Sequence, residues 1–309
     1  MTVALVTGAA GFVGRHLSAH LVRAGVEVHG LDVSLPPAGW PGPWHTVDLL
    51  NASALGASLD RIKPDYVLHV AALLRSPALA DLMNVNVIGT DNLLAAVAEC
   101  CPQARVLVTG SSAEYGLVTD GELPISESCA LRPLSPYGVS KAAQSLLAAQ
   151  YAVRQGLAVV RTRAFNLTGP GEPPEQVISA MARQFAEFER RQGEHRLRVG
   201  NLNTMRDFCD ARDAVRGYWL VAQKGEPGEV YNVCSGRETA VRAVLDRLAA
   251  LTGISPLVHS EPGRMTPWDV PRQVGDGRKL EQLAGFEPEI PWDQTLLDLL
   301  NDWRRKLSQ

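Results

Sequence analysis

A tyrosine and a lysine stand four residues apart in the segment RPLSPYGVSK, which runs from Arg132 to Lys141. In an α-helix this spacing places Tyr137 and Lys141 on the same face, one above the other. Ser135 is a favourable N-cap residue, and Pro136 suits the first helical position because its missing N–H would lack a partner there. The segment therefore predicts a helix that presents a phenol beside an ammonium group. The same spacing is common on ordinary helices, so by itself it leaves a purely structural role open.

A second candidate site is the glycine-rich segment TGAAGFVG, which lies between a strand-like run, VALVTG, and a helical pattern. Glycine lets the backbone turn tightly and approach a pyrophosphate, which then sits at the positive N-terminus of the helix. The spacing G-x-x-G-x-x-G is one residue longer than the usual dinucleotide fingerprint. A tight turn without a ligand is the alternative. The predicted cofactor-binding residues of this turn are Gly8, Gly11, Phe12, Val13 and Gly14.

Acidic residues follow the glycine turn at two further strand ends. Asp32 closes the run HGLDVS, where a carboxylate binds both hydroxyls of an adenosine ribose and repels a 2′-phosphate. This position favours NAD over NADP, although Arg15, directly after the last glycine, weakens the preference. Asp48, in VDLL, is a candidate acceptor for the adenine amino group, with a structural loop aspartate as the alternative.

Strand-like apolar runs alternate with helical patterns through the first half of the chain. Near-continuous Val, Leu and Ala runs separated by helices predict a parallel sheet covered on both faces. We therefore predict an α/β fold, a Rossmann-type doubly wound parallel sheet with a smaller C-terminal α/β lobe. Residues 1–165 plus about 207–235 are assigned to the dinucleotide-binding domain, and about 166–206 plus 236–309 to the second lobe. Predicted helices cover about Phe12–Ala24, Val85–Cys100, Tyr137–Gln155, Gln176–Arg191 and Ala240–Leu251, followed by a terminal amphipathic helix.

Composition excludes several classes of protein. The 309 residues carry a net charge of −3 with a pI near 6.2, which argues against a nucleic-acid or anionic-membrane surface. The five cysteines are odd in number and contain no C-x-x-C pair, so we expect reduced structural thiols and no metal site. The N-terminus lacks a positively charged leader, and no run approaches the ~20 apolar residues that cross a bilayer. We expect a soluble, cytoplasmic protein.

Several motifs follow the glycine turn in a fixed order: HVAA (His69–Ala72), NVIGT (Asn86–Thr90), GSSAEYG and YGVSK. In this order they resemble the extended short-chain dehydrogenase/reductases, which act mostly on nucleotide-linked sugars. The resemblance spans nearly the whole chain. It implies an NAD(P)-dependent oxidoreductase with catalytic Tyr137 and Lys141, whose active-site hydroxyl comes from Ser111, four residues before Tyr115. Further residues implied at the site are Leu49, Ala71, Ala72 and Asn86 for the cofactor and Ser112 as the reserve hydroxyl.

The resemblance also implies how these groups act. A free tyrosine has a pKa of about 10, and the neighbouring Lys141 ammonium, together with an oxidised nicotinamide, is expected to favour phenolate. Lys141 is also expected to hold the hydroxyls of the nicotinamide ribose. In the reducing direction hydride goes to a carbonyl carbon, Tyr137 protonates the developing alkoxide, and Ser111 hydrogen-bonds the same oxygen.

Two departures narrow the reaction within the family. Dehydratases carry a glutamate two residues before the YG tyrosine, where this chain has Ala113. Glu114 is one residue away, and in extended backbone that shift points a side chain to the opposite side. The cysteine that GDP-fucose-forming epimerase-reductases place there is absent too. Carbonyl reduction and 4-epimerisation therefore remain open.

Downstream segments look closest to reductases of GDP-4-keto-6-deoxy-D-mannose, which form GDP-D-rhamnose. These segments are RAFNLTGPGE, VGNLNTMRDFCDARDAVRGYW and GEVYNVCSG. The likeness implies that Asn166 and Arg206 contact the substrate diphosphate and that Val199 and Asn201 lie near the base. In the late loop the usual R-x-R-P is replaced by GRMTP, so Arg264 is the remaining phosphate contact and Thr266 stands for the second arginine.

Two other functions compete with a 4-ketoreductase. A 4-epimerase would retain tightly bound NAD, and a dinucleotide-sensing protein would bind without turnover. For assembly, the predicted helices at Val85–Cys100 and Tyr137–Arg154 carry apolar residues on more than one face. We therefore expect a homodimer that buries this surplus.

Overall fold

A parallel sheet of seven strands forms the centre of the fold in a computed structural model that describes residues 1–264 and 270–308. The strands of this sheet and of two smaller sheets are, in chain order, β1 Val3–Thr7, β2 Glu27–Asp32, β3 Trp44–Thr46, β4 Tyr66–His69, β5 Arg105–Ser111, β6 Val159–Ala164, β7 Asn166–Thr168, β8 Arg196–Val199, β9 Met205–Asp210, β10 Val230–Val233, β11 Glu238–Ala240, β12 Leu257–Ser260 and β13 Arg272–Gln273. The helices are α1 Phe12–Arg23, α2 Ala52–Ile62, α3 Leu79–Met83, α4 Gly89–Cys100, α5 Pro136–Gln155, α6 Val177–Phe188, α7 Ala211–Lys224, α8 Val241–Thr252, α9 Arg278–Ala284 and α10 Trp292–Lys306. A π-helix, Asn84–Ile88, joins α3 to α4, and short 3₁₀ helices span Ser112–Glu114, Asp120–Glu122 and Pro262–Arg264.

The strand order of the central sheet is β10-β6-β5-β4-β1-β2-β3, and every neighbouring pair is parallel. The order reverses between β1 and β4. In open α/β sheets the crevice at such a switch point, outside the carboxyl ends of the strands, is where ligands bind. The predicted Rossmann-type doubly wound sheet is confirmed.

Hydrophobic packing covers both faces of this sheet. On one face Leu17 and Leu21 of α1 pack with Val215 and Val221 of α7. The opposite face is covered by α2, α4 and α5, whose buried residues form a second cluster. Because both faces are buried, the strands need apolar residues at nearly every position, which is why β1 and β5 read as continuous apolar runs.

Helix α5 begins and ends where its sequence predicts. The Ser135 side chain accepts a hydrogen bond from the Gly138 N–H at 3.0 Å, and Pro136 is the first helical residue. Gly156 closes the helix with φ +67°, a left-handed conformation that costs glycine little. The cap fixes the start of α5, and with it the positions of Tyr137 and Lys141.

The rest of the chain builds a separate hydrophobic cluster and two small sheets. Helices α6, α8 and α10 form this cluster, with Trp303 and Leu299 facing it as the amphipathic pattern predicts. Strands β7, β11 and β13 pair with β9, and β12 pairs with β8.

One predicted boundary differs from the structure. Residues from 207 onward were expected to join the dinucleotide-binding domain, but β9, Met205–Asp210, belongs to the small sheet, while α7 and β10 do pack with the large one. The sequence of β9, in which Arg206, Asp207 and Asp210 are charged, does not show which strand it pairs with, because pairing depends on residues far away in sequence. The division of the chain into two lobes otherwise stays a prediction.

Two global features complete the description. No helix within the described ranges has both the length and the apolar character needed to cross a membrane. All five cysteines, at positions 100, 101, 129, 209 and 234, are free thiols.

Candidate active site

A cavity of about 720 Å³ lies at the carboxyl ends of β1, β2, β4 and β5, beside the switch point of the sheet. Its volume is typical of a site for a small molecule or cofactor. The predicted site residues that line it are Gly8, Gly11, Phe12, Val13, Gly14, Asp32, Asp48, Leu49, Ala71, Ala72, Ser111, Tyr137, Lys141 and Asn166. The tertiary structure therefore brings the glycine turn and the Tyr–Lys pair, more than 120 residues apart, into one space.

The glycine turn forms one wall and has no room for side chains. Gly8 adopts φ +67°, and a Cβ there would lie 2.6 Å from the Cα of Ala71 on β4's exit loop. At Gly14 a Cβ would lie 2.2 Å from the carbonyl oxygen of Gly8. Helix α1 starts at Phe12, so its free N–H groups and positive dipole end point to the cavity.

Asp32 is held at the end of β2 by two backbone amides. Its carboxylate accepts hydrogen bonds from the Ala10 N–H at 3.1 Å and from the Ser34 N–H at 3.0 Å. Asp48 accepts from the Leu50 N–H at 2.9 Å and keeps its second carboxylate oxygen for other donors. Both carboxylates line the side of the cavity next to β2 and β3. In the strand order this side lies away from β5, next to which Tyr137 is placed.

Ser111 ends β5 and its hydroxyl is oriented by the following turn. The Ala113 N–H donates to Ser111 Oγ at 3.2 Å, which leaves the hydroxyl hydrogen free to donate elsewhere. Burial raises the pKa of the Tyr137 phenol, and the nearby Ser111 hydroxyl opposes part of this rise. The two hydroxyls therefore converge on one region of the cavity.

Lys141 is buried, with 1% of its surface exposed. Its ammonium donates to the carbonyl oxygen of Thr109 at 2.6 Å and to Oε1 of Gln144. Burial lowers the pKa of Lys141 to about 8, against an opposing effect from Glu114.

The pKa of Tyr137 in the protein by itself is governed by burial. Desolvation raises the pKa of Tyr137 to about 12, and the negative charge of Glu114 adds to the rise; the expectation that Lys141 together with an oxidised nicotinamide favours phenolate stays a prediction. The Lys141 ammonium itself bonds to Thr109 and Gln144. At neutral pH Tyr137 holds its proton, as an ordinary tyrosine does, and the raised pKa extends this state to higher pH.

Glu114 does not replace the missing dehydratase glutamate. It is fully buried and does not line the cavity; its carboxylate accepts from the Ser111 N–H at 2.7 Å and from Arg163 Nε at 2.8 Å. The carboxylate is thus turned away from the cavity as expected, but the reason differs: residues 112–114 form a 3₁₀ helix and not extended backbone, and Glu114 closes a capping box on Ser111.

Two predicted contacts lie behind the cavity wall. Asn86 is fully buried and bonds to the backbone N–H and carbonyl of Leu73 at 2.7 and 2.9 Å, and to Ser140 Oγ. It holds the Leu73 segment, which lines the cavity, but it does not line the cavity itself. Ser112 is buried and donates to Gln273 Oε1 at 3.2 Å, so Ser111 is the serine of this pair that faces the cavity.

The predicted substrate-binding residues are divided between two places. Asn166 lines the cavity and donates to the carbonyl of Asp207 at 3.1 Å. Val199, Asn201 and Arg206 are not among the cavity-lining residues; Arg206 donates to the carbonyl of Val270 at 2.6 Å. The side chain of Arg264 and all of Thr266 fall outside the described residues, so their predicted roles are not addressed by the structure.

Sequence reasoning missed several residues at the site. Glu172 lines the cavity, accepts from Thr168 Oγ1 at 2.6 Å, and has a pKa raised by burial to about 8. Gln144 contacts Lys141, and its position three residues further along the same helix was a usable signal. Pro173, Gln176 and Val177, at the start of α6, also line the cavity.

Comparison with known proteins identifies the family. The model of the NAD-dependent epimerase/dehydratase family matches residues 4–234. The chain belongs to this family. That membership confirms the predicted resemblance to the extended short-chain dehydrogenase/reductases.

Relatives within the family resemble the chain over almost its whole length. A GDP-6-deoxy-D-mannose reductase from Pseudomonas aeruginosa is 35% identical over 98% of both chains. The structure of RMD from the same organism in complex with NADPH superimposes with a TM-score of 0.89 and 33% identity, covering 99% of this chain and 100% of the other. A UDP-glucose 4-epimerase from Thermus thermophilus, solved with NAD, has a TM-score of 0.86 at 28% identity, over 98% and 99% of the two chains.

Proposed function

We propose that this protein uses NADH or NADPH to reduce the 4-keto group of a nucleotide-linked 4-keto-6-deoxyhexose. The proposed substrate is GDP-4-keto-6-deoxy-D-mannose and the product GDP-D-rhamnose. The observation that carries the proposal is the meeting of Ser111, Tyr137 and Lys141 with the glycine turn in one cavity, while Glu114 is turned away from it. The similarity to the Pseudomonas GDP-6-deoxy-D-mannose reductase supports this choice of sugar and base.

In the proposed reaction Tyr137 is the general acid. The phenol is protonated at neutral pH, as an ordinary tyrosine is, and this is the form that reduction requires; its raised pKa extends that form to higher pH. The free hydrogen of Ser111 donates to the same carbonyl oxygen and stabilises the negative charge that develops there. The bound reduced nicotinamide supplies the hydride.

The residues of the cavity suit a dinucleotide. The glycine turn and the N-terminus of α1 would hold the pyrophosphate, and Lys141 the nicotinamide ribose. Among the described residues that line the cavity, Lys141 is the only one with a basic side chain. None of these residues therefore offers a cation near Asp32 that would bind a 2′-phosphate. We therefore propose that NADH is preferred, although the Pseudomonas neighbour was solved with NADPH.

A panel of substrates tests the proposal. We expect purified protein to oxidise reduced nicotinamide with GDP-4-keto-6-deoxy-D-mannose faster than with dTDP-, UDP- or CDP-linked 4-keto-6-deoxy sugars. The kcat/KM with NADH is expected to exceed that with NADPH, and NMR of the product is expected to show GDP-D-rhamnose. Absence of cofactor oxidation with every sugar would refute the reductase assignment.

The runner-up is an NAD-dependent 4-epimerase, favoured by the structural similarity to the Thermus enzyme. An epimerase would keep NAD bound through purification and interconvert 4-epimers without consuming added cofactor. The absorbance of the purified protein and a reaction without added cofactor separate the two functions.

We also propose that the protein is a cytoplasmic homodimer. Val139, Leu146 and Val153 are 40%, 63% and 83% exposed and stand seven residues apart on α5, so they form one apolar stripe. Pairing of this stripe across a two-fold axis would remove it from water. The free thiols agree with a reducing compartment.

Charge on the stripe is expected to break the dimer. We predict that Leu146→Glu shifts the sedimentation mass from two chains to one at micromolar concentration, because a buried carboxylate opposes association. Gln155→Glu, an exposed change on the same helix, is the matched control and should stay dimeric. A wild-type mass of one chain would contradict the homodimer.

A further inference from the structure

A buried hydrogen-bond network continues from Lys141 into the interior of the nucleotide-binding half. Gln144 is fully buried, accepts from the Lys141 ammonium through Oε1, and donates through Nε2 to Thr90 Oγ1 at 2.7 Å. His69 Nε2 lies 2.9 Å from the same Thr90 oxygen. The network thus joins α5, α4 and β4 directly beneath the proposed catalytic lysine.

The donors and acceptors of this network can be assigned from one fixed bond. Thr90 Oγ1 donates to the carbonyl oxygen of Asn86 at 2.7 Å, so it must accept from both Gln144 and His69. His69 is therefore protonated on Nε2, and its Nδ1 accepts from Thr7 Oγ1 at 2.7 Å. The 3.3 Å approach of Gln144 Nε2 to His69 Nε2 is then a contact between two donors, and both donate to Thr90 Oγ1. Burial lowers the pKa of His69 to about 3, in agreement with a neutral ring.

This assignment fixes the orientation of the Gln144 amide. With Nε2 directed at Thr90, Oε1 must face Lys141, and a flipped amide would place two donors against the ammonium. Within the described residues Lys141 forms no ion pair with a carboxylate; carbonyl oxygens of Thr109 and Gln144 surround the ammonium instead. The ionisable groups that face it are His69 on β4, Tyr137 on α5 and Glu114 after β5, the last paired with Arg163 on β6.

We propose that Gln144 is a positioning residue that fixes the Lys141 ammonium and sets the pH at which it loses its proton. The amide dipole supplies one of the two carbonyl oxygens that replace water around the cation. Removing this oxygen would favour the neutral amine, and replacing it by a carboxylate would favour the ammonium. The proposal rests on the proposed function only in that Lys141 is taken to act in catalysis.

Nuclear magnetic resonance can test the proposal without any substrate. The chain contains five lysines, at positions 63, 141, 224, 279 and 306, so protein labelled with ¹³Cε-lysine gives a simple spectrum. The Lys141 signal is assigned by its loss in Lys141→Arg. We expect its titration midpoint to rise by about one pH unit or more in Gln144→Glu and to fall by a similar amount in Gln144→Leu.

The opposite signs separate an electrostatic role from a structural one. A site that is merely distorted would move both midpoints in the same direction or neither, and either result would overturn the proposal. Gln155→Glu, exposed at the end of α5, adds the same charge far from Lys141 and is expected to leave the midpoint unchanged. If Gln144→Leu does not fold, Thr90→Val removes the acceptor that orients the amide and is expected to lower the midpoint too.

Activity then connects the network to the reaction. The alkaline limb of kcat/KM for ketone reduction is expected to move with the Lys141 midpoint in both variants. If the alkaline limb of kcat/KM does not move with the Lys141 midpoint measured by NMR, the link between Gln144 and catalysis is overturned. Failure of the reductase assignment looks different, because wild-type protein would then reduce no sugar while the NMR shifts persist.

Discussion

Replacement of Tyr137 by phenylalanine is expected to lower kcat for ketone reduction by about 10²- to 10⁴-fold, the usual contribution of a general acid. The phenol holds its proton at neutral pH, as an ordinary tyrosine does, and burial raises its pKa further, to about 12, whereas phenylalanine has no proton to give. The change removes one oxygen, so the cavity and the contacts of Lys141 with Thr109 and Gln144 are kept. Steady-state kinetics measure kcat, and titration of NADH fluorescence measures whether cofactor binding is retained.

A matched control separates the phenol of the site from phenols in general. Tyr66→Phe, on β4, removes the hydroxyl of a ring that packs edge-to-face against Trp219 in the core. We expect this variant to keep wild-type kcat. A Tyr137→Phe enzyme within tenfold of wild type would show that another group protonates the alkoxide.

The two perturbed groups also predict a pH dependence. Lys141 is charged below its pKa of about 8 and neutral above it, so its support of the reaction is present at neutral pH and lost as pH rises through about 8. The phenol of Tyr137 stays protonated over this range. Because kcat/KM reports the free enzyme, its alkaline limb for reduction is expected near pH 8 and is assigned to Lys141.

Replacement of Gly14 by alanine is the second change for which we expect a large effect, here on both stability and cofactor binding. A Cβ there would lie 2.2 Å from Gly8 O, 2.8 Å from Ala9 Cα and 2.9 Å from Gly8 C, all atoms of the backbone. The turn must therefore open, and overpacking of this kind costs about 1–3 kcal/mol of unfolding free energy. The displaced N-terminus of α1 can no longer approach a pyrophosphate, so we expect NADH affinity to fall at least about tenfold, or ~1.4 kcal/mol.

Gly56→Ala, within α2, is the matched control for this prediction. A Cβ there meets no atom within 4 Å, so alanine should stabilise the helix by about 0.5–1 kcal/mol and leave NADH binding unchanged. Denaturant unfolding and NADH titration of both variants provide the comparison. Equal behaviour of Gly14→Ala and Gly56→Ala would show that the close approach at the turn does not matter.

Local signals in the sequence were sufficient for the elements that carry the site. Ser135, Pro136 and Gly156 set the ends of α5, since capping depends on a few neighbouring residues. Continuous apolar runs predicted the parallel sheet because strands covered on both faces bury nearly every side chain. The glycine turn was predictable because its geometry needs residues without a Cβ at fixed places.

The tertiary structure decided the rest, because burial and long-range contacts cannot be read from spacing along the chain. Spacing put Lys141 beside Tyr137, but desolvation, which depends on the whole surroundings, raises the pKa of the phenol and lowers that of the lysine. The pairing of β9 with the small sheet likewise depends on distant strands. The sequence by itself determined the glycine turn and the Tyr–Lys pair. The folded interior decided which of the predicted residues line the cavity and how far their pKa values shift, since a pKa follows from how far water is excluded around the group.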